Sequence, residues 1–375
     1  RKFIYELQYN FVILHIETIS VRMKDITPDN IKTFVRLIEE ARRPIIVTHA
    51  KPDGDAIGSS AAMFHFLGLC GKQDRLLVLN DNCPRFLGFI RESIPQEALI
   101  IREESQQKAF DAIEQADLII CLDFNAFHRT DRLERPLEES AGRKILVDHH
   151  LNPARELFDL SFSETEVSSA SELLYHILRN TTVINNDAAR LGEKCAQSLM
   201  TGMTTDTNNF ANSVFPSTLH MASDLLAAGT DRDFILNRLY NQYSENRLRL
   251  MGHMMKDLLK ITGDGVAYIV LDSRTQKEYE INDGDTEGFV NLPLAIDKVR
   301  MSLLLKEDGD RVRVSIRSKK GTSANLCARE HFNGGGHENA AGGRLNIPED
   351  ISSIEEAADY IEKHTHIFIN EENEA

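Results

Sequence analysis

Short aliphatic runs, each closed by a polar turn and followed by apolar residues at helical spacing, recur through the first half of the chain. Ile45, Ile46 and Val47 form one such run; Pro52 and Gly54 force a turn after it, and Ile57, Ala61 and Phe64 then repeat with the period of a helix face. Leu76 to Leu79, Leu118 to Leu122 and Ile145 to Val147 are further runs of strand length. A helix beginning at Thr27, with Pro28 in its first turn, leads into the first strand. Strands that are apolar throughout and alternate with helices predict a parallel α/β sheet covered on both faces. Helical spacing continues from Ala170 to Leu178, Ala188 to Met203, Pro216 to Ala228, Asp231 to Tyr240 and Ser244 to Lys260.

The pattern then changes. Val266 to Leu271, Met301 to Leu305 and Val312 to Ile316 read as strands, the last two flanking an acidic turn at Asp308 and Gly309. Asn325 to His331 reads as a helix, followed by FNGGGHENAAGG, a helix near Ile354 to His364 and a frayed acidic tail, EENEA. Two α/β domains are therefore expected: an N-terminal parallel-sheet domain over 23–230 and a smaller, mixed one over 261–348. Between them runs a helical connector over 231–260, and 349–375 holds the C-terminal helix and tail. Residues 1–22 are expected to be a non-native extension with Met23 as the natural start, because their apolar centre, Phe11 to Ile16, is too short and interrupted for a signal peptide.

Composition narrows the classes. The 375 residues, 42% of them hydrophobic, exceed what one core usually supports. With 58 acidic and 43 basic side chains the formal charge is −15, which disfavours long duplex nucleic acid and leaves room for a short anion in a local basic pocket. Cys70, Cys83, Cys121, Cys195 and Cys327 form no CxxC pair, so a reducing cytoplasm is expected, with Cys121 in the core. No apolar run approaches the ~20 residues that would cross a membrane.

Candidate chemistry stands at the ends of the strands. His49, Asp53 and Asp55 follow the first, Asp123 another, Asp148, His149 and His150 the next, and TTDTNNF supplies Asp206. The first group alone could be an Asx-rich turn capping a helix. Crowded carboxylates repel one another unless a cation neutralises them, however, and recurrence at strand ends favours a metal site. Mixed imidazole and carboxylate ligands suit Mn²⁺ better than Ca²⁺, with Mg²⁺ or Co²⁺ as substitutes, and so many ligands suit two ions.

The HxxxDxD segment, the strand-end Asp123, the DHH triplet, Asp206 and the later GGGH together resemble the DHH/DHH-associated (DHHA1-type) phosphoesterase superfamily over most of Thr27 to Leu345. Its bacterial branch of nanoRNases and 3′-phosphoadenosine-5′-phosphate (pAp) phosphatases is the most similar. The resemblance implies that His49, Asp53 and Asp123 hold one Mn²⁺ while Asp55, Asp123, His149 and Asp206 hold the other, with Asp123 as bridge. It further implies that Asp148 orients an imidazole, that His150 touches the scissile phosphate, and that Arg129 clamps a phosphate, the plain alternatives being a structural role for Asp148 or His150 and a solvated surface side chain for Arg129. Gly334, Gly335, Gly336 and His337 resemble the family's substrate loop, supported by Arg317 and Ser318. Asn333 stands where many members carry another glycine.

The implied activity is release of nucleoside 5′-monophosphates from short oligoribonucleotides, with dephosphorylation of pAp, the substrate held in a cleft between the domains. Hydrolysis of linear or cyclic dinucleotides such as pApA and c-di-AMP is the alternative, and a non-catalytic nucleotide-binding module is an alternative of another class. Expected partners are phosphorylated nucleotides or short RNA, with no membrane and with a homodimer admitted.

Overall fold

A computed structural model describes residues 23–241, 244–281 and 284–374 of the chain. The expectation for residues 1–22 falls outside them. The chain divides into two compact units, the first ending at Gln242 and the second beginning at Tyr243.

In the first unit, α1 (Pro28–Glu40) is capped by the Thr27 hydroxyl, which accepts from the Asn30 N–H, and it delivers the chain to β1 (Pro44–Thr48), buried at every residue. The turn after β1 opens α2 (Gly54–Leu69). Strands β2 (Leu76–Leu79), β3 (Leu99–Ile101), β4 (Leu118–Leu122), β5 (Arg143–Asp148) and β6 (Leu160–Ser163) complete a six-stranded sheet of order β3-β2-β1-β4-β5-β6, parallel at every pairing. Both faces are covered. Ile46, Ile120 and Val147 point into one core and Ile45, Ile119 and Leu146 into another, which is why these strands lack alternation. Each such side chain contributes about 1.5–3 kcal/mol by leaving water. Two strands escape the apolar-run criterion, β3 with three residues and β6 with the half-polar LSFS.

The helices α3 (Ala170–Arg179), α4 (Gly192–Asp206), α5 (Pro216–Ala227) and α6 (Arg232–Tyr240) pack on this sheet or on each other. Although its sequence reads as one apolar face, α2 is buried nearly all round. Gly58 explains how: a Cβ there would lie 2.7 Å from both Gly202 N and Ser198 O of α4, so the two helices touch backbone to backbone.

The second unit begins with α7 (Glu245–His253). Residues 231–260 therefore do not form one separate connector: Ile235 and Leu239 of α6 lie in the first core, whereas Leu250 of α7 and Met254 lie in the second unit's. A mixed sheet follows, of order β11-β12-β10-β9-β8-β7, built from β7 (Lys260–Ile261), β8 (Val266–Leu271), β9 (Met301–Asp308), β10 (Arg311–Ser318), β11 (Gly335–His337) and β12 (Ala340–Asn346). Only β8 and β9 pair in parallel. It is covered by α8 (Ala324–His331) and α9 (Ala357–Glu374). The expected frayed tail is instead helical through Glu374, because Glu372 accepts from Arg300 Nη2 and the Ser323 N–H, both at 2.9 Å. Among the described residues no helix is long and apolar enough to cross a membrane, and all five cysteines are unpaired.

Candidate metal centre

In the first sheet the chain direction of strand order reverses between β1 and β4, and in such sheets groups beyond the carboxyl ends of the two strands meet in a crevice. The Thr48 hydroxyl donates to Leu122 O at 2.8 Å, tying these two ends together. His49 follows one and Asp123 the other. Asp123 sits at φ 64°, an unusual backbone conformation for a non-glycine residue, with its N–H held by Val147 O at 3.0 Å, so its carboxylate is fixed by backbone as well as by packing.

The Asp123 carboxylate is divided between two groups of side chains. Its Oδ2 lies 3.5 Å from His49 Nε2, which is in turn 3.8 Å from Asp53 Oδ1. Its Oδ1 lies 3.5 Å from His149 Nε2, and that nitrogen is 3.4 Å from Asp206 Oδ2 and 4.0 Å from Asp55 Oδ2. His49 Nδ1 donates to Ala50 O at 2.9 Å, which leaves Nε2 as the lone-pair nitrogen facing the carboxylates. His150 is held differently: Asp148 accepts from its Nδ1 at 2.7 Å and from its backbone N–H at 3.2 Å. The imidazole that Asp148 orients is therefore that of His150.

Asp53 combines both readings of its turn. Its Oδ1 accepts from the N–H groups of Asp55 and Ala56, each at 3.0 Å, making it the N-cap of α2, while most of the side chain stays exposed. Asp55 is fully buried, and its oxygens accept from Ala170 N at 2.6 Å and Ser171 N at 2.9 Å, at the amino end of α3. Asp206 is the last residue of α4, one turn beyond where the apolar spacing ends.

Four carboxylates and two imidazoles in so small a volume distort one another's titration. Burial and the neighbouring Asp123 and Asp206 charges push the Asp55 carboxyl up. Burial, with Asp123 and Asp53 adding their repulsion, raises Asp206 to about 7. Burial alone would lower the imidazoles, but contact with Asp123 and its neighbours outweighs it and raises His49 to about 11 and His149 to about 10. For Asp123, burial is opposed and overcome by His149 and His49, which hold its carboxyl well below the usual range. Without a cation, then, protons must do the neutralising. Asp123 Oδ1 is also buried with no hydrogen-bond partner. An orphaned carboxylate oxygen 3.5 Å from an imidazole nitrogen fits a metal ion taking the place of those protons, and two triads, His49–Asp53–Asp123 and Asp55–His149–Asp206, have ligand atoms close enough to hold one each.

Other candidate residues are placed less uniformly. Arg129 is exposed, and its carbonyl accepts from Ala50 N at 2.8 Å, which sets it beside the turn carrying His49 and Asp53. In the second unit, Arg317 pairs with Ala340 across β10 and β12, its Nη1 donating to Ile316 O at 2.9 Å. Ser318 is committed to the adjoining turn, donating to Thr322 O at 2.6 Å and accepting from Asn339 Nδ2 at 3.0 Å. The glycine segment is the edge strand β11 rather than an open loop. Gly334 and Gly336 are needed there for the sheet itself, since a Cβ would lie 2.0 Å from Gly342 O at the first and 2.7 Å from Ala340 O at the second. Gly335 has no such restriction. Asn333 adopts φ 48°, the left-handed conformation a glycine would supply, so its departure from the family pattern leaves the backbone path intact.

Sequence reasoning missed two groups. Asp81, beyond β2, accepts from Lys51 N at 2.5 Å and so holds the turn after β1. Glu172, on α3, is fully buried beneath the N–H groups that hold Asp55. Its signal was present in the sequence as Ser169-x-x-Glu172, the spacing of a capping box.

This two-domain architecture, with a His/Asp cluster where the strand order reverses, defines a class of α/β proteins with a candidate dinuclear centre. The chain belongs to the DHH family: residues 43–203 match the DHH family N-terminal domain and residues 263–363 the DHHA1 domain. It is 30% identical over 319 residues to a probable bifunctional oligoribonuclease and PAP phosphatase NrnA of Streptococcus mutans, covering 83% of this chain and 92% of that one. A crystal structure of an exopolyphosphatase-related protein from Bacteroides fragilis superposes with a TM-score of 0.85 at 35% identity, over 93% of this chain and 99% of that one. A more distant relative is the cyclic-di-AMP phosphodiesterase PdeA of Listeria monocytogenes, 23% identical over 81% of this chain and 45% of that protein.

Proposed function

We propose that this chain is a two-metal hydrolase of phosphoester bonds that converts short oligoribonucleotides to nucleoside 5′-monophosphates and removes the 3′-phosphate of pAp. The observation that carries the reading is that one buried carboxylate, Asp123, belongs to one ligand triad through Oδ2 and lies 3.5 Å from His149 of the other through Oδ1. His49, Asp53 and Asp123 would hold one ion, and Asp55, Asp123, His149 and Asp206 the other. Bound Mn²⁺, with Mg²⁺ or Co²⁺ as substitutes, would supply Lewis-acid charge at the phosphate and lower the pKa of a water.

The side chains do the rest. Ala50 O fixes the His49 tautomer, and the backbone at β5 keeps Asp123 facing both triads. Asp148 holds the Nδ1 proton of His150, so Nε2 is the ring atom that would contact the phosphate. Arg129, beside the same turn, would clamp a phosphate with its guanidinium. In the second unit, Arg317 and the Gly335 backbone, with His337, are the groups proposed to bind nucleotide. The five unpaired cysteines fit a cytoplasmic setting.

The likeness to a cyclic-di-AMP phosphodiesterase keeps dinucleotide messengers as a second reading. Incubating the Mn²⁺-loaded protein with pAp, pApA, a short RNA, c-di-AMP and pyrophosphate separates the two. Release of AMP from pAp and pApA, with stepwise shortening of the RNA, is the expected result. Turnover of c-di-AMP alone would favour the messenger reading, and no product from any of the five would overturn both.

A further inference from the structure

Asp55 differs from the other ligands in being held at both oxygens by the protein. The N–H groups of Ala170 and Ser171 meet Oδ2 and Oδ1, so the carboxylate is seated on the amino terminus of α3, where peptide dipoles favour a negative charge. Its orientation toward His149 therefore depends on where the turn 168–171 is held. That turn is anchored from below. Glu172 Oε2 accepts from the Ser168 N–H at 2.9 Å, from the Ser168 hydroxyl at 2.5 Å and from the Thr218 hydroxyl of α5 at 2.6 Å, while His176 Nε2 lies 3.7 Å from Oε1. The Ser169 hydroxyl closes the same turn by accepting from Glu172 N at 3.0 Å.

A fully buried glutamate is costly unless hydrogen-bonded, and a hydrophobic residue would pack this helix at lower cost. A Cβ on Gly202 would lie 2.0 Å from Ser171 Oγ and 2.8 Å from Asp55 Oδ1, so α4 also leaves room for this turn and no more. We propose that Glu172 is a positioning residue for the metal centre, holding the Ser168–Ser171 turn so that the amino terminus of α3 aims the Asp55 carboxylate at its ion. This rests on the reading of Asp55 as a metal ligand, and goes beyond it by assigning a residue that touches neither metal nor substrate. Burial would raise the Glu172 carboxyl, but His176, Ser168 and Thr218 outweigh it and lower it to about 2, so it is ionised at neutral pH.

The test is Mn²⁺ binding to the full chain, followed by the EPR signal of free ion, in Glu172→Gln, Asp55→Asn and the double variant. Removing groups that orient ligands commonly weakens metal affinity by ~10–100-fold, and Glu172→Gln should do so at one of two sites while the other keeps its affinity. Asp55→Asn should weaken the same site at least as much. The double variant should bind no more weakly than Asp55→Asn alone, because Glu172 acts through Asp55. Wild-type binding by a folded Glu172→Gln, or losses that add fully in the double variant, would overturn the proposal and leave the metal reading standing. Wild-type binding by Asp55→Asn would overturn the metal reading, and the proposal with it. If Glu172→Gln does not fold, Ser168→Ala deletes one donor only; it should cost several-fold in the same site with the same non-additivity, and unchanged binding there counts against the proposal.

Discussion

At the scale of single residues, Asp123 is the position that touches both triads, as a member of one and 3.5 Å from His149 of the other. Asp123→Ala should abolish Mn²⁺-dependent turnover of pApA while far-UV circular dichroism stays native, since a side chain at a strand end is removed from the sheet's edge and not from its ladder. A folded Asp123→Ala that retains metal-dependent turnover would sink the dinuclear assignment. The raised titrations of His49, His149 and Asp206 make a second prediction, about pH. All three groups have folded values above their unfolded ones. Their contribution to stability is therefore complete below the unfolded values, 6.5 for histidine and 3.8 for aspartate, and is lost as pH rises through about 7 for Asp206, about 10 for His149 and about 11 for His49. Asp123 is depressed, and its contribution is lost only in acid. In EDTA the melting temperature should thus fall by at least ~3 °C between about pH 7 and about pH 9.5, and Mn²⁺ should reverse the fall by replacing the departing protons. A flat melting curve across that range in EDTA would show that the imidazoles do not neutralise the cluster.

At the scale of elements, the centre is built where α2 and α4 touch, because one carries Asp55 and the other ends in Asp206. Gly58→Ala places a methyl 2.7 Å from two backbone atoms of α4 and must push the helices apart. Overpacking of this kind costs about 1–3 kcal/mol, and here it should weaken Mn²⁺ binding as well as lower the melting temperature. A control at Gly71, where a Cβ meets nothing within 4 Å but φ is +79°, should strain the turn and leave the metal untouched. The central strands and the His/Asp cluster at their ends were legible in the sequence because burial on both faces writes a continuous apolar run and polar residues collect at its end. What was illegible has physical causes. β6 has a half-polar edge sequence, and the close approach of α2 to α4 depends on glycines whose partners lie far along the chain. The glycines from 334 to 336 read as a substrate loop in the sequence, and only the positions of Gly342 and Ala340 assign Gly334 and Gly336 to packing. The helical spacing ends at Met203, one turn before α4 does, because Thr204, Thr205 and Asp206 continue the helix without continuing its apolar stripe.

At the scale of the whole molecule, electrostatics bears on substrate length. The formal charge of −15 would remain strongly negative with two divalent cations bound, so the protein as a whole repels a polyanion. Proteins that track along nucleic acid do the opposite: they release counterions, and affinity for a single strand falls by about 0.7 logarithmic units per phosphate neutralised for each tenfold rise in salt. A substrate with one or two phosphates near the metal ions feels mostly that local site, whereas a long RNA brings many phosphates within reach of the acidic surface. The Debye length shrinks from about 30 Å at 0.01 M salt to about 10 Å at 0.1 M, so this repulsion should be greatest in dilute buffer. The ratio of kcat/KM for a dinucleotide to that for a long RNA should therefore be highest at low salt and narrow as salt is added, with the change coming from the long substrate. Faster hydrolysis of long RNA at low salt would show instead a basic track that outweighs the net charge, and would move the protein from the end-product range of RNA decay to its processive steps.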